Sequence, residues 1–258
     1  MKTFNVISLG AGKQSTFMLI EALKGRFGII PDAAVFSDLG CEPSFVYQNL
    51  NRLTEYCLTH FNFKIDIVSP GNLYNNVISF VNGKQVREST PPFFLSDGGM
   101  LQRHCTSNYK IRPIRQFLRK NRAGRKVSLW IGISYDEIER IRISDVKYIS
   151  NFYPLIQNKI TLNSIRDYFQ YSDFIEPGKS SCIMCPFRTS SHWQIMKKNF
   201  PADFQKACDF DNAVRNYPGL KSQVFLHRSL KPLDKIDFSY KPSLFPEMIE
   251  ECEGLCGL

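Results

Sequence analysis

Eight cysteines stand in the 258-residue chain, at positions 41, 57, 105, 182, 185, 208, 252 and 256. A thiol can serve as a metal ligand, a nucleophile or a small packed apolar group. Cys182 and Cys185, in SSCIMCPF, have the C-x-x-C spacing at which two thiolates readily share a metal centre. Cys105 lies between basic residues in RHCTSNYKIRP, and its own surroundings leave all three roles open. Cys57, in the helical pattern VYQNLNRLTEYCL, reads as a buried apolar residue. A disulfide framework is not expected. The N-terminal apolar run is too short for a secretory signal, which points to a cytoplasmic chain, where thiols stay reduced.

A second chemical signal is the turn SLGAGKQST at residues 8–16. Small residues between a strand and a helix leave backbone N–H groups exposed, and the helix dipole adds to their attraction for phosphate. Ser8, Gly10, Ala11, Gly12, Gln14, Ser15 and Thr16 are candidate nucleotide contacts, with Lys13 as the cation. The order differs from G-x-x-x-x-G-K-[ST], because Gln14 follows the lysine, and from G-x-G-x-x-G, because Ser15 stands where the third glycine belongs. A phosphate site and a plain tight turn both fit the spacing.

Two further strand ends carry polar groups. In FSDLG, Ser37 and Asp38 stand where an acid often meets ribose or base edges, although a turn-forming role suits Asp38 equally. In IGISYDEIERIR, Gly132, Ser134, Asp136 and Arg140 follow a buried strand. Arg140 could clamp an anion there, and Asp136 and Glu137 could start a helix.

The elements needed to position these groups alternate. Strand-like FNVISLG, AAVFSDLG and FKIDIVS are separated by helical stretches at 15–23 and from Pro43 to about 60, which predicts an α/β fold with a Rossmann-like parallel sheet flanked by helices. A first domain over 1–156 holds the nucleotide. The Gly-, Asn-, Ser- and Pro-rich stretch 70–104 reads as loop, suited to a flap. A helix over 111–121 precedes the strand VSLWIGIS. Residues 157–258 read as a helical C-terminal extension bearing the C-x-x-C and tail cysteines, with a helix near 190–215 containing Pro201.

The net charge is +9. Much of it sits in KIRPIRQFLRKNRAGRK, residues 110–126, which suits a polyanion such as nucleic acid, or else a solvated helix face. No run approaches the ~18 apolar residues of a membrane span, so no membrane partner is expected.

Taken in order, SLGAGKQS, FSDLG-x-EP, CTSNYKIRPI, WIGISYDE-x-x-R, YPLI, SSCIMCPF and LHRS resemble the phosphoadenosine phosphosulfate reductase-like group of adenine nucleotide α-hydrolases, over nearly the whole chain. The poorly characterised bacterial and phage branch is the nearer likeness. That resemblance implies a HUP-type fold and a pyrophosphate loop matched by Gly10–Ser15, with Gln14 in place of the usual acid. It further implies ATP with Mg²⁺, or an adenylyl sulfate-type nucleotide. In the cluster-bearing reductases a CC pair precedes x-x-x-K-x-x-P; here Cys105 remains, Thr106 replaces its neighbour, and Lys110 and Pro113 match. The implied metal ligands are Cys105, Cys182 and Cys185, holding a [4Fe–4S] cluster or, as the rival, Zn²⁺.

The activity implied is α–β cleavage of ATP, adenylating an acceptor such as a nucleobase, coupled to cluster-assisted sulfur transfer. Lys13, Ser15 and Arg140 would be catalytic, the basic segment would meet a nucleic-acid acceptor, and a sulfur-donor protein and a homodimer are possible partners. Two alternatives remain: a sulfonucleotide reductase with a nucleophile at Cys252 or Cys256, and a nucleotide sensor or nucleic-acid-binding subunit without catalysis.

Overall fold

Phe4–Leu9 forms β1, buried at every position, as expected of a central parallel strand covered on both faces. The computed structural model of the protein describes residues 2–84, 86 and 89–238. Within them β1 pairs in parallel with β2 (Ala33–Ser37) and β5 (Val127–Ile131), β2 with β3 (Ile65–Val68), and β5 with β6 (Ile149–Phe152). The order is β3-β2-β1-β5-β6. The chain therefore winds outward from β1 in one direction and then in the other, which puts a topological switch point between β1 and β5.

The side chains alternate across this sheet. Ile7, Leu9, Ala34, Phe36 and Trp130 pack on one face beneath α1 (Lys13–Leu23), α2 (Ser44–Phe61) and α7 (Leu162–Gln170). Phe4, Val6, Val35, Leu129 and Ile131 pack on the other, against Ile114 and Leu118 of α5 (Arg112–Asn121). The fold is thus the expected α/β sandwich with helices on both faces.

A third core unites distant parts of the chain. Leu39, Cys41, Leu73, Val77, Phe93, Cys105 and Tyr109 pack with Cys182, Cys185, Trp193, Phe204 and Phe210. Here α3 (Leu73–Val81) meets α8 (Ser190–Asn199) and α9 (Pro201–Ala213), and the short strands β4 (Phe94–Leu95) and β7 (Val224–Phe225) pair antiparallel. The segment 70–104, expected as loop, is largely so but carries α3 and β4 within it. Asn72 caps α3 by accepting from the Asn75 amide at 2.9 Å, and Leu73 and Val77 supply its buried face. The helix expected over 190–215 is two, because Pro201, which has no N–H to give, starts α9 at its first turn.

The helix expected over 111–121 begins earlier. α4 (His104–Thr106) runs through a π turn (Ser107–Ile111) into α5. The short α6 (Pro154–Gln157) follows β6. Among the described residues no helix is long and apolar enough to cross a membrane.

Candidate functional site

The loop leaving β1 is strained and braced. Ala11 has φ +55° and is buried, a left-handed conformation that costs a side-chain-bearing residue roughly 1–2 kcal/mol. Asn49 of α2 holds it, donating from Nδ2 to the Ala11 carbonyl at 2.8 Å and to Thr16 Oγ1 at 3.3 Å. Ser15 Oγ accepts from the Gly10 amide at 3.2 Å. Gly12 caps α1 with no side-chain hydrogen bond, so the first amides of the helix are available to an anion.

Gln14, Thr16 and Ser134 have 0% exposure. Gln14 Nε2 donates to Ser134 Oγ at 2.7 Å and to Glu137 Oε2 at 2.6 Å. Glu137 in turn accepts from Arg140 at 2.6 Å. The loop after β1 is thereby tied to the 3₁₀ turn Tyr135–Arg140 after β5, across the switch point. Glu137, expected from the sequence only to start a helix, thus places a carboxylate against Gln14 of that loop.

The remaining expected contacts are placed as follows. Ser8 and Gly132 are buried. Ser37 Oγ donates to the Tyr109 carbonyl at 2.6 Å, fixing the π turn against the tip of β2; such turns occur often at functional sites. Asp38 Oδ1 accepts from the Gly40 amide at 2.8 Å and from the Tyr47 hydroxyl at 2.7 Å, which shapes the turn after β2. Burial first, then that bond to Asp38, pushes the Tyr47 phenol well above its ordinary pKa. Asp136 accepts from the Leu162 amide at 3.0 Å and so starts α7. Lys110 sits 3.7 Å from Glu42 and lines the same cavity as the thiols.

Cys105, Cys182 and Cys185 line one small cavity of about 20 Å³, together with Thr106, Lys110, Arg103, Ser181 and Pro186. None of the six described cysteines is in a disulfide, and all six are buried. The Cys182 thiol bonds to Cys185, which favours its thiolate; the bond to Cys41, burial, and the nearby charge of Cys41 and Glu42 outweigh that and push it well up. Among the described residues no three His, Cys, Asp or Glu side chains converge as ligands of a single ion.

The donor types are those a sulfur cluster takes, three thiols lining a cavity with two cationic side chains, Arg103 and Lys110. The space there is that of a water molecule, too small for a cluster in this arrangement of the thiols. Cys252 and Cys256 lie outside the described residues.

The sequence pattern also missed Arg188, just after the C-x-x-C. Its guanidinium is buried and donates to the Ser181 carbonyl and, at 3.3 Å, to the Cys182 carbonyl. Burial draws its pKa down, while negative charge at Cys185, Cys182, Glu42 and Asp203 resists; a guanidinium stays charged regardless. The other side of Arg188 faces a cleft of about 650 Å³, lined also by Lys13, Arg52, Arg166, Lys179 and His192, with Glu176 as its acid. Lys13 pairs with Glu176 at 2.6 Å. Burial, then the charges of Lys179, Arg188 and Lys13, lower the His192 pKa to about 3. That histidine is neutral at pH 7 and registers the positive field around it. Its position after a C-P-F-R run is the one signal that could have flagged it.

The basic segment 110–126 is only partly exposed. Arg115 pairs with Asp145, Arg122 stacks over Tyr148 at 4.3 Å, and Arg125 covers Phe4 at 4.4 Å. Arg112, Arg119, Lys120 and Lys126 face solvent.

No protein-family model matches the chain, and no curated protein is similar to it. Among solved structures it is similar to the U34-tRNA thiolase NcsA from Methanococcus maripaludis with its [4Fe–4S] cluster, at 13% identity and a TM-score of 0.44, over 84% of this chain and 74% of that one.

Proposed function

We propose that the protein is an ATP-dependent enzyme that adenylates an oxygen of a nucleobase-like acceptor and replaces it with sulfur, aided by a [4Fe–4S] cluster on Cys105, Cys182 and Cys185. One observation carries the reading. Arg188 donates to the carbonyls of Ser181 and Cys182, which line the thiol cavity, and its other side lines the basic cleft that begins at Lys13. In this reading a single buried cation lies between the phosphate site and the sulfur site.

In this reading the amides of residues 10–15 and the N-terminus of α1 hold the ATP phosphates. Lys13 and Arg140 offset charge that develops at the scissile phosphate, and Mg²⁺ accompanies the nucleotide. The acceptor oxygen attacks the α-phosphorus, the α–β bond breaks, and pyrophosphate leaves. Sulfide from a donor protein or free in solution then displaces the adenylated oxygen, and AMP departs. The cluster would supply a thiophilic site beside that exchange. The solvent-facing Arg112, Arg119, Lys120 and Lys126 suit a nucleic-acid acceptor.

The test is anaerobic purification with iron, sulfide and zinc analysis, alongside pyrophosphate release from ATP. Cys105→Ala and Cys182→Ala should both lose metal, and Lys13→Ala should slow pyrophosphate release by about 10²–10³-fold. Full metal in both cysteine variants would refute the shared centre. Lys110 on the thiol cavity favours one second reading, a sulfonucleotide reductase. Failure of the full chain to turn over adenylyl sulfate under reducing conditions would exclude it, and full turnover by a chain truncated before Cys252 would exclude a nucleophile in the tail. ATP binding without pyrophosphate release, whatever acceptor is offered, would instead indicate a nucleotide sensor.

A further inference from the structure

The cleft that starts at Lys13 has two kinds of wall. Its cations suit phosphate, but Phe45, Ile195, Met196 and Phe200 line it as well, and the rings of Phe45 and Phe200 lie 4.7 Å apart. Pyrophosphate alone has no use for an apolar wall; a nucleobase does. His192 joins the two walls. It stands on α8 three and four residues before Ile195 and Met196, the spacing that puts side chains on one helix face.

The ring of His192 is held by the cap of its own helix. Thr189 Oγ1 accepts from the His192 amide at 3.3 Å and lies 2.8 Å from both His192 Nδ1 and Ser191 Oγ. A hydroxyl has one proton and two lone pairs. With the proton given to Ser191 Oγ, the lone pairs take the His192 amide and the Nδ1–H. This network assigns the tautomer whose Nε2 carries the free lone pair, and Nε2 makes no hydrogen bond among the described residues. The charged groups lining the same cleft are Lys13 of α1, Arg52 of α2, Arg166 of α7, Glu176 and Lys179 of the segment before the C-x-x-C, and Arg188 after it. Burial, then the charges of Lys179, Arg188 and Lys13, keep the imidazole neutral at pH 7. Phosphates in the cleft oppose the second cause and raise its affinity for a proton.

We infer that His192 is the general base of the adenylation step, and that the acceptor is of the lactam type, with a ring N–H beside the carbonyl that reacts. This base serves the ATP-dependent adenylation proposed above and depends on it. The acceptor ring lies on the apolar wall, and Nε2 takes the ring proton. The electrons of that N–H bond become a C=N bond, and the carbonyl π electrons form the new bond from oxygen to the α-phosphorus. The bond from the α-phosphorus to the bridging oxygen breaks, and pyrophosphate leaves with its electron pair. His192 passes its proton to the departing pyrophosphate and is neutral again. The base is weak until the phosphates of ATP enter the cleft, so proton removal is tied to the presence of the nucleotide.

The test measures pyrophosphate release from ATP by wild type, His192→Gln and His192→Ala, with polyuridylate, polycytidylate or bulk cellular RNA as acceptor. Circular dichroism checks the fold. Uracil has an N–H beside a carbonyl, and cytosine in a polymer has none. Both variants should lose about 10²-fold or more in kcat, with KM for ATP little changed. Added imidazole should restore part of the His192→Ala rate, in step with its neutral fraction as pH rises, which a merely structural role for His192 would not allow. Turnover with polyuridylate should need His192, and any turnover with polycytidylate should not. Wild-type kcat in both variants, or a loss that imidazole does not restore, would overturn the inference alone, as would equal dependence on His192 with the two polymers. Wild type that releases no pyrophosphate with any of the three acceptors would overturn the underlying reading as well.

Discussion

Gln14 and His192 each convert a local environment into a measurable property. The Gln14 amide group is buried, with two short hydrogen bonds from Nε2, while its Oε1 has no partner among the described residues. Removing it leaves Ser134 and Glu137 without their shared donor, and a buried polar group so orphaned costs about 1–3 kcal/mol. Gln14→Ala should therefore lower the melting temperature, and it should weaken pyrophosphate binding because the loop after β1 loses its tie to the turn after β5. His192 acts through pH. The unfolded chain protonates it near the ordinary value of about 6.5, the folded chain only near a pKa of about 3. Between these the unfolded state binds the extra proton, so stability falls as pH drops below about 6.5, by up to about 1.4 kcal/mol per pH unit. Urea denaturation at pH 7.5 and 4.5 should show a smaller acid loss in His192→Gln than in wild type.

At the scale of elements, two contacts join parts far apart in sequence. Asp203 of α9 accepts from the Ser44 amide at 2.8 Å and hydroxyl at 2.7 Å, and so caps α2 from the C-terminal region. Asp203→Ala should cost about 1–2 kcal/mol, read as a lower urea midpoint with an unchanged slope. Gly40 has φ +69°, and a Cβ there would lie 2.8 Å from Asn72 Nδ2 and 3.1 Å from its Cα. Gly40→Ala combines left-handed strain with a clash against backbone, at roughly 1–3 kcal/mol.

At the scale of the molecule, charge is concentrated rather than spread. Lys13, Arg52, Arg166, Lys179 and Arg188 gather around one cleft from α1, α2, α7, the segment before the C-x-x-C and the segment after it. Such a cleft draws anions with a strong dependence on salt. Arg52→Glu should weaken binding of ATP or pyrophosphate about tenfold or more and flatten that dependence, as measured by calorimetry at two ionic strengths. The same anion would offset the positive field on His192, and its imidazole pKa, followed by NMR, should rise on binding.

Periodicity and turn chemistry made the sheet legible: apolar runs such as Phe4–Leu9 and Val127–Ile131 need cover on both faces, and the phosphate-type loop must follow the first of them. Only the family resemblance, through Lys110 and Pro113, pointed Cys105 toward the C-x-x-C. What sequence left open is what depends on side chains meeting across distance. Asn72 read as part of a loop and Pro201 as interior to one helix until packing made one a cap and the other a helix start. Glu137 accepts from Gln14, Arg188 lines the basic cleft and donates to the Ser181 and Cys182 carbonyls, and the Cys41 carbonyl accepts from the Ile183 amide. No spacing rule encodes those meetings, because each arises where two loops from different strands are brought to the same core.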